Sequence, residues 1–437
     1  MRRLGFALAM RVLNTIIVLF ITVLAARLLS VEDFAIYSVL LSGSLVLATI
    51  MTGGFDQSLV PLISYPPRQR PVRISDPILC ASKCLSVWLP IWTLIGTTIY
   101  FPSLLDLASL NSLTLTWWGR LSVAVYSLGI ALRLIGASIM RTGGSHIYAA
   151  MLDGPLGGSI ALCLIGVLGL LADAINVNSL FLCLAVGNAT IGASSVVISL
   201  RRYRRRMSFT DGQNSALAVA IYSSPMMTTT LLTWLSGAIL LSCVSRWLDS
   251  YAASVFALGL QIVTGVSVLF VAAQVVFGPQ LARSWQDGAH ALEPFVRVAA
   301  TLSSAPGVFA TIGLIAVGTP LVPIVFGHDY AGAAPLLTIF AGGRALQMSI
   351  GPSHTVLNVT GHQFAYLRLQ PIIAILYVVF PATGAAIDSL RGAVIGFAVG
   401  LVVQNLLLSF LVWWLIGVRT YATLDRADIL RCLRSLR

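Results

Sequence analysis

Charge is what this sequence has least of: Asp, Glu, Lys and Arg make up 10% of its 437 residues, whereas 57% are hydrophobic. A soluble domain carries roughly 25% charged residues, so the chain cannot supply a polar coat for a water-exposed globule. Lysine is nearly missing. Lys83 is the single lysine among 27 basic residues, a bias that points to a GC-rich bacterial genome. The cysteines Cys80, Cys84, Cys163, Cys183, Cys243 and Cys432 form no C-x-x-C or Cys/His spacing. That excludes the common zinc and redox frameworks and leaves inert thiols, mostly in apolar surroundings. No G-x-S-x-G, H-E-x-x-H, P-loop or carboxylate pair is found, so the expectation is a non-enzyme with no metal and no cofactor.

What the sequence has is long apolar runs, with a mean hydropathy of +0.91. At about 20 apolar residues per crossing, it divides into twelve expected spans: 5–26, 34–55, 78–101, 118–140, 148–171, 179–200, 216–244, 252–277, 296–318, 334–357, 365–387 and 393–416. Met1-Arg2-Arg3 before the first run resembles a signal peptide, but the run is long for one and eleven more spans follow. It is taken as the first span. The fold class expected is therefore all-α, a polytopic membrane protein of about twelve transmembrane helices.

The basic residues set the orientation. With the N-terminus in the cytoplasm and the chain alternating, twenty Lys and Arg fall on the cytoplasmic side. Only Arg27, Arg120, Arg246 and Arg391 fall outside. This is a strong positive-inside bias. It makes the basic run 201–206 a topological, lipid-facing feature, and no nucleic-acid partner is expected despite the net charge of +12.

The chain also repeats itself. Arg27-Leu28-Leu29 after the first span returns as Arg246-Trp247-Leu248 after the seventh, and Ala35-Ile36-Tyr37 returns as Ser254-Val255-Phe256. Thr142-Gly143 with Tyr148 returns as Thr360-Gly361 with Tyr366. Six spans per half is an even number, so the halves insert in the same sense, as parallel repeats. The expected organisation is an N-terminal six-helix bundle at 1–200, a basic cytoplasmic linker at 201–213, a C-terminal six-helix bundle at 214–416, and a basic, partly helical cytoplasmic tail at 417–437.

Two blocks carry a family resemblance. Ala26-Arg27-Leu28-Leu29-Ser30-Val31-Glu32-Asp33-Phe34-Ala35-Ile36-Tyr37 resembles the R-L-L-x-x-E-D-F-G-x-Y signature that follows the first helix of bacterial polysaccharide flippases. Val325-Phe326-Gly327-His328-Asp329-Tyr330-Ala331-Gly332-Ala333-Ala334-Pro335-Leu336-Leu337 resembles their loop before the tenth helix, and Gly351-Pro352 with Val356 to Gly361 continues the pattern. By these blocks the chain is similar to the Wzx-type lipid-linked oligosaccharide flippases of the multidrug/oligosaccharidyl-lipid/polysaccharide exporter superfamily. Ala35 stands where glycine is usual. Gly237 lies near where an aspartate often precedes the outer end of the seventh helix, so no coupling acid carries over there. The resemblance implies two pseudo-symmetric bundles forming a V around a central cavity, in the bacterial inner membrane. It implies a lipid-linked oligosaccharide substrate, with undecaprenyl diphosphate as carrier. Membrane lipids are further partners, and polysaccharide polymerase and glycosyltransferases are candidate ones.

Charge inside a span costs roughly 2.5–3.5 kcal/mol on insertion scales, which singles out a few residues. Arg344 lies mid-span, with Gln347, Gly351 and His354 at i+3, i+7 and i+10 on one stripe. Arg133 lies with Ser122, Tyr126, Gly129 and Gly136, closer to the cytoplasmic end, where snorkelling is the alternative. Arg11, near Thr15 and Thr22, suits either a cavity or a positive-inside anchor. Asp56, at the end of the second span, suits a pair with Arg11 or an ion-coupling site. Gln261, Thr264 and Gln274 share a face of the eighth span, where interhelical hydrogen bonding is the plainer reading. Pro225 and Pro306 are expected to kink the seventh and ninth spans.

Arginine offers a planar, always-charged donor fork suited to phosphate, so these residues suit an anionic lipid head group. A cation-coupled drug antiporter of the same superfamily would favour buried carboxylates. A membrane-embedded glycosyltransferase or polymerase would need a large extramembrane loop, and the longest outside loop, 102–117, holds only Asp106. A peptidoglycan-precursor flippase would commonly add two helices after the twelfth.

Overall fold

The computed structural model describes residues 2–64, 77–110, 115–142, 145–153, 155–171, 175–204, 216–423 and 425, and every regular element among them is helical. The chain divides into two compact units, Met1–Arg246 and Trp247–Arg437.

The first unit holds α1 (Arg2–Leu28), α2 (Val31–Thr52), α3 (Phe55–Ser64) and α4 (Pro77–Ile95). A π turn, Gly96–Tyr100, carries α4 into α5 (Phe101–Leu107). Next come α6 (Trp117–Thr142), α7 (His146–Asp153), α8 (Pro155–Leu171), α9 (Val177–Arg204) and α10 (Ala216–Trp247). In the second unit are α11 (Ser250–Gln286), α12 (Ala289–Phe326), α13 (Ala334–Ile350), α14 (Ser353–Val359) and α15 (Gln363–Ile416). Among the described residues, nine stretches are long and apolar enough to cross a membrane. One of them, in α15, is two limbs joined at Asp388 and Ser389, whose φ/ψ angles are non-helical. The shorter apolar helix Val12–Leu28 of α1 stands where the first span was expected, and the 17-residue α13, which carries Arg344, stands where the tenth was expected.

Local chemistry explains where helices start and stop. Ser30 caps α2, its hydroxyl accepting from the Asp33 amide at 3.1 Å, with Glu32 and Asp33 in the first turn where the helix dipole favours acids. Asp249 caps α11 in the same way, accepting from the Ala252 amide at 2.6 Å. The two caps stand 219 residues apart, so the repeat in the sequence is a repeat of turns between the first two spans of each half. At Gly53 and Gly54, α2 ends on positive φ angles of 58° and 76°, which L side chains rarely adopt.

The core repeats too. Tyr37 on α2 packs against Phe181 on α9 with ring centroids 5.6 Å apart. Phe256 on α11 packs against Phe397 on α15, also at 5.6 Å. The third and ninth spans, equivalent in the two halves, are among the least buried, at 22% and 11% of their apolar windows. In the first unit α6 and α9 approach through glycines: a Cβ on Gly129 would stand 2.6 Å from the Asn188 backbone, and one on Gly136 would stand 2.4 Å from the Ser195 hydroxyl. Close backbone approach of this kind is how helices associate without a hydrophobic drive.

Several expectations change in detail. Pro306 does not interrupt the ninth span, because α12 runs helical from Ala289 to Phe326 through four prolines. Pro225 denies the Ile221 carbonyl its amide partner, and the Ser224 hydroxyl donates to that carbonyl instead at 2.9 Å, so no acceptor is released there. α10 belongs by contact to the first unit, through Gln57 to Thr230 at 2.7 Å and Ser58 to Ser223 at 2.6 Å. The unit boundary at 246/247 and the repeat boundary before the seventh span are thus separate features. Most of the basic segment 201–213 and of the tail beyond 423 lies outside the described residues.

Candidate functional site

In the second unit the deep cation bonds to two neutral side chains. The Arg344 Nε on α13 donates to the Ser267 hydroxyl on α11 at 2.8 Å, and its Nη1 donates to the Gln347 Oε1 one turn along the same helix. Tyr377 and His354 lie within electrostatic reach of the guanidinium. Asn405 on α15 donates from Nδ2 to the Gln347 carbonyl at 2.6 Å and to the Gly351 carbonyl at 3.1 Å. Such bonds fix where the arginine sits, since a buried amide with two acceptors has little freedom to move.

The expected stripe from Arg344 to His354 is only half continuous. α13 stops at Ile350, Gly351 takes φ 105°, and His354 sits on the separate short helix α14, its ring 6.4 Å from that of Tyr366. Arg344 and Gln347 are therefore brought together on one helix, and His354 approaches from beyond a bend. Gln261 lies on α11, half-buried, six positions before the Ser267 that bonds to Arg344.

The chain after α15 builds the floor of this region. Gly417, at φ 77°, turns it back, and Thr420 is fully buried under the bend. Its hydroxyl donates to the Ile350 carbonyl at 2.8 Å and meets the Ser409 hydroxyl at 2.7 Å. The Ala422 amide donates to the Ser349 carbonyl at 2.7 Å, and Thr423 exchanges two bonds with the Thr301 hydroxyl on α12, at 2.9 and 2.7 Å. A Cβ on Gly351 would stand 2.0 Å from the Thr420 carbonyl oxygen, so only glycine fits the crossing. The described start of the tail is this non-helical strap, and the rest of the tail expected to be partly helical lies outside the described residues.

In the first unit the Arg133 Nη1 on α6 donates to the Asn188 Oδ1 on α9 at 2.8 Å. The Asn188 Nδ2 donates to the Leu184 carbonyl at 3.0 Å, which fixes the amide's direction. Gly157 on α8 passes over the pair; a Cβ there would stand 2.7 Å from the Arg133 Nη1. Asp56 stands in the first turn of α3, half-buried and beyond the Gly53–Gly54 break. The Ser38, Ser42 and Thr49 hydroxyls of α2 bond to carbonyls of α2 itself. Arg11 and Gln274 lie in α1 and α11, but their side chains are outside the described residues.

Ser267, Asn188 and Asn405 are the site residues that sequence reasoning missed. Asn188 and Asn405 are 217 residues apart, close to the repeat offset, and that spacing was the available signal. Among the described residues no cluster of three or more His, Cys, Asp or Glu side chains is placed to hold a metal.

The sequence matches no family model and no curated protein. Its fold does match solved structures. An inward-facing multidrug resistance MATE family transporter of the MOP superfamily aligns over 92% of this chain and 96% of its own, with a TM-score of 0.71 at 15% identity. The lipid II flippase MurJ, in an inward closed conformation, aligns over 97% and 89%, with a TM-score of 0.71 at 13% identity. A MOP superfamily transporter from Pyrococcus furiosus aligns over 100% and 96%, with a TM-score of 0.67 at 13% identity. The chain thus shares its fold with these solved chains, which are described as transporters or a flippase.

Proposed function

We propose that this protein flips a lipid-linked oligosaccharide from the cytoplasmic to the outer leaflet of a bacterial inner membrane by alternating access, for surface polysaccharide synthesis. The carrier is a polyprenyl diphosphate, most simply undecaprenyl diphosphate. Both termini face the cytoplasm, and the glycosyltransferases that build the cargo and the polymerase that extends it are the expected partners.

One observation carries this reading: Arg344, deep in the tenth span, is bonded by the uncharged Ser267 and Gln347. The sequence of spans seven to twelve, with the limits given above, contains no Asp or Glu at all. A diphosphate that the bilayer core rejects finds there a charged donor fork suited to its oxygens, whose attraction low dielectric strengthens. Sugars need many modest polar contacts, which Ser, Thr, Asn and Gln on facing helices offer. A cation-coupled drug antiporter is the second reading, and the half-buried Asp56 is what favours it.

The test is complementation. A strain deleted for the gene accumulates lipid-linked repeat units on the inner leaflet, and the wild-type gene clears them. Arg344→Ala, expressed to the same level, is expected to lose at least about 90% of surface polysaccharide, because a transition through the bilayer loses a charge-assisted contact. Full complementation by Arg344→Ala would sink the anionic-cargo reading. Loss of drug resistance in Asp56→Asn with polysaccharide unchanged would establish the antiporter instead.

A further inference from the structure

Two grooves in the first unit flank α6, which forms the ridge between them. One, of about 560 Å³, runs between α4 and α6 and is walled by Leu89, Pro90, Leu94, Leu121, Leu128 and Leu132. The other, of about 700 Å³, runs between α6 and α9, past Val125, Leu182, Ala185, Val186 and Ala189. Leu121 lines both. Trp117 belongs to the first groove and its neighbour Trp118 to the second. Both indoles are exposed at the start of α6, the position that tryptophan favours at a membrane–water interface.

The chemistry of both grooves suits hydrocarbon. Among the described residues no charged side chain lines either one. In the first, the Thr93 hydroxyl donates to the Leu89 carbonyl at 2.8 Å and the Thr97 hydroxyl to the Thr93 carbonyl at 2.9 Å. In the second, the Ser122 and Thr190 hydroxyls donate to the Trp118 and Val186 carbonyls, both at 2.8 Å. These donors are spent on their own helices, so a sugar finds little to bind there. Both grooves also open onto apolar surface, since Val87, Ile91 and Leu94 on α4 and Leu182 and Val186 on α9 are exposed. They are thus continuous with the face that meets the bilayer.

Their common end is polar. The Thr116 amide and hydroxyl, just before α6, donate to the Asn178 Oδ1 in the first turn of α9, at 3.2 and 3.3 Å. Asn176 caps α9, its Oδ1 accepting from the Ser179 amide at 2.9 Å. Neither helix has an acid in its first turn, and the positive ends of both dipoles lie here, which complements a phosphate. Trp117 to Leu132 is about 22 Å of helix and Ser179 to Thr190 about 16 Å. One leaflet of hydrocarbon is about 15 Å deep, so each groove is long enough for a whole acyl chain.

We propose that the start of α6 is a saddle for one two-chained phospholipid, with a chain in each groove and the phosphate over the starts of α6 and α9. Two grooves that share a ridge residue and a single polar end match one head group bearing two chains. A single prenyl chain would fill one groove and leave the other empty. The bound lipid braces the third span, only 22% of whose apolar window is buried by protein, against α6. The site requires only that the chain cross a bilayer, whatever its cargo. In the orientation proposed above, the leaflet is the outer one.

The experiment uses the full chain, stripped of lipid in detergent, with dioleoyl phosphatidylethanolamine as the probe. Its lyso form, which has the same head group on one chain, is the control, and native mass spectrometry counts what is bound. At equal mole fraction in the micelle, wild-type protein is expected to bind the two-chained lipid at least about tenfold more tightly, since the second chain gains packing contacts along a formed groove. Thr93→Phe obstructs the first groove and Ala189→Phe the second. Each is expected to cost the two-chained lipid about tenfold and the lyso form less than about threefold, so that the two probes bind nearly alike. Equal binding of both probes by wild-type protein would overturn the proposal, as would two-chained affinity within twofold of wild type in either variant. Displacement of the probe by a polyprenyl phosphate at equal mole fraction would overturn it in favour of one long chain. If a variant does not fold, the comparison of the probes on wild-type protein decides alone.

Discussion

In the first half of the molecule the asparagine of the sixth span holds a side chain, Arg133, whereas in the second half its counterpart Asn405 holds two main-chain carbonyls around a bend. The same residue type at nearly the same repeat position has been put to different use because the helix it faces differs. α6 runs unbroken through Arg133, whereas α13 stops at Ile350 and resumes as α14. A continuous helix satisfies its own carbonyls, so its neighbour is left to orient a guanidinium. A bent helix exposes carbonyls that must find donors elsewhere. The two frameworks are alike in outline, and the glycine-proline step at 351–352 makes them unequal.

The largest expected effect follows from that inequality. Asn405→Leu strips the donor from the Gln347 carbonyl and one of two donors from the Gly351 carbonyl, which keeps the Ser353 amide at 3.0 Å, so a loss of about 1.5–4.5 kcal/mol is expected. Asn188→Leu removes one hydrogen bond to a charged group, worth about 1.5–3 kcal/mol. Unfolding of both variants in the same detergent, by heat or denaturant, ranks them. Equal losses, or a larger loss for Asn188→Leu, would break the claim that the second asparagine is structural and the first is directed at a side chain.

Next in size is the strap. The chain leaving the sixth span stays helical to Arg204, but the chain leaving the twelfth turns at Gly417 and lies under the bend. Thr420→Val keeps shape and removes a hydroxyl that meets the Ile350 carbonyl and the Ser409 hydroxyl. About 1–3 kcal/mol is expected, together with faster protease cleavage after residue 417. Unchanged cleavage would mean that the strap is held by its main-chain bonds, such as Ala422 to Ser349, and not by Thr420.

How much of this was open to a reader of the sequence follows from the same physics. Twelve spans are legible because a bilayer imposes length and hydropathy on every crossing, and the caps at Ser30 and Asp249 mark turns in both halves. Arg344 and Gln347 announce themselves because charge in a span is rare, and they do meet. Asn188, Ser267 and Asn405 do not announce themselves, because an uncharged polar residue in a span looks the same whether it ties helices together or aims a cation. Asn188 is camouflaged further by Thr190, which completes a glycosylation triplet that means nothing inside a span. The break at Gly351–Pro352 could be read as a turn, but the strap that fills its notch comes from 70 residues away. Periodicity along one helix cannot foresee a partner at that distance. For the same reason the stripe from Arg344 to His354 was extended through a bend.

The smallest effect tests the equivalence of the two cores. Tyr37 and Phe256 occupy matched places, each fully enclosed and each 5.6 Å from its aromatic partner on the last span of its half. If the ring alone does the packing, Tyr37→Phe makes the first core resemble the second and loses at most one hydrogen bond, about 0.5–1.5 kcal/mol. The pairs with Phe34 at 5.8 Å and Phe181 survive the change, and edge-tilted aromatic contacts do not depend on a hydroxyl. The reverse change, Phe256→Tyr, is not its mirror. Phe256 is already closed in by Phe340 at 5.0 Å as well as Phe397, and an added oxygen must displace one of them, at about 1–3 kcal/mol. Melting both variants separates the possibilities. A loss above about 2 kcal/mol in Tyr37→Phe would mean that the hydroxyl belongs to a polar network the second half lacks, and the two cores would then be alike in outline only.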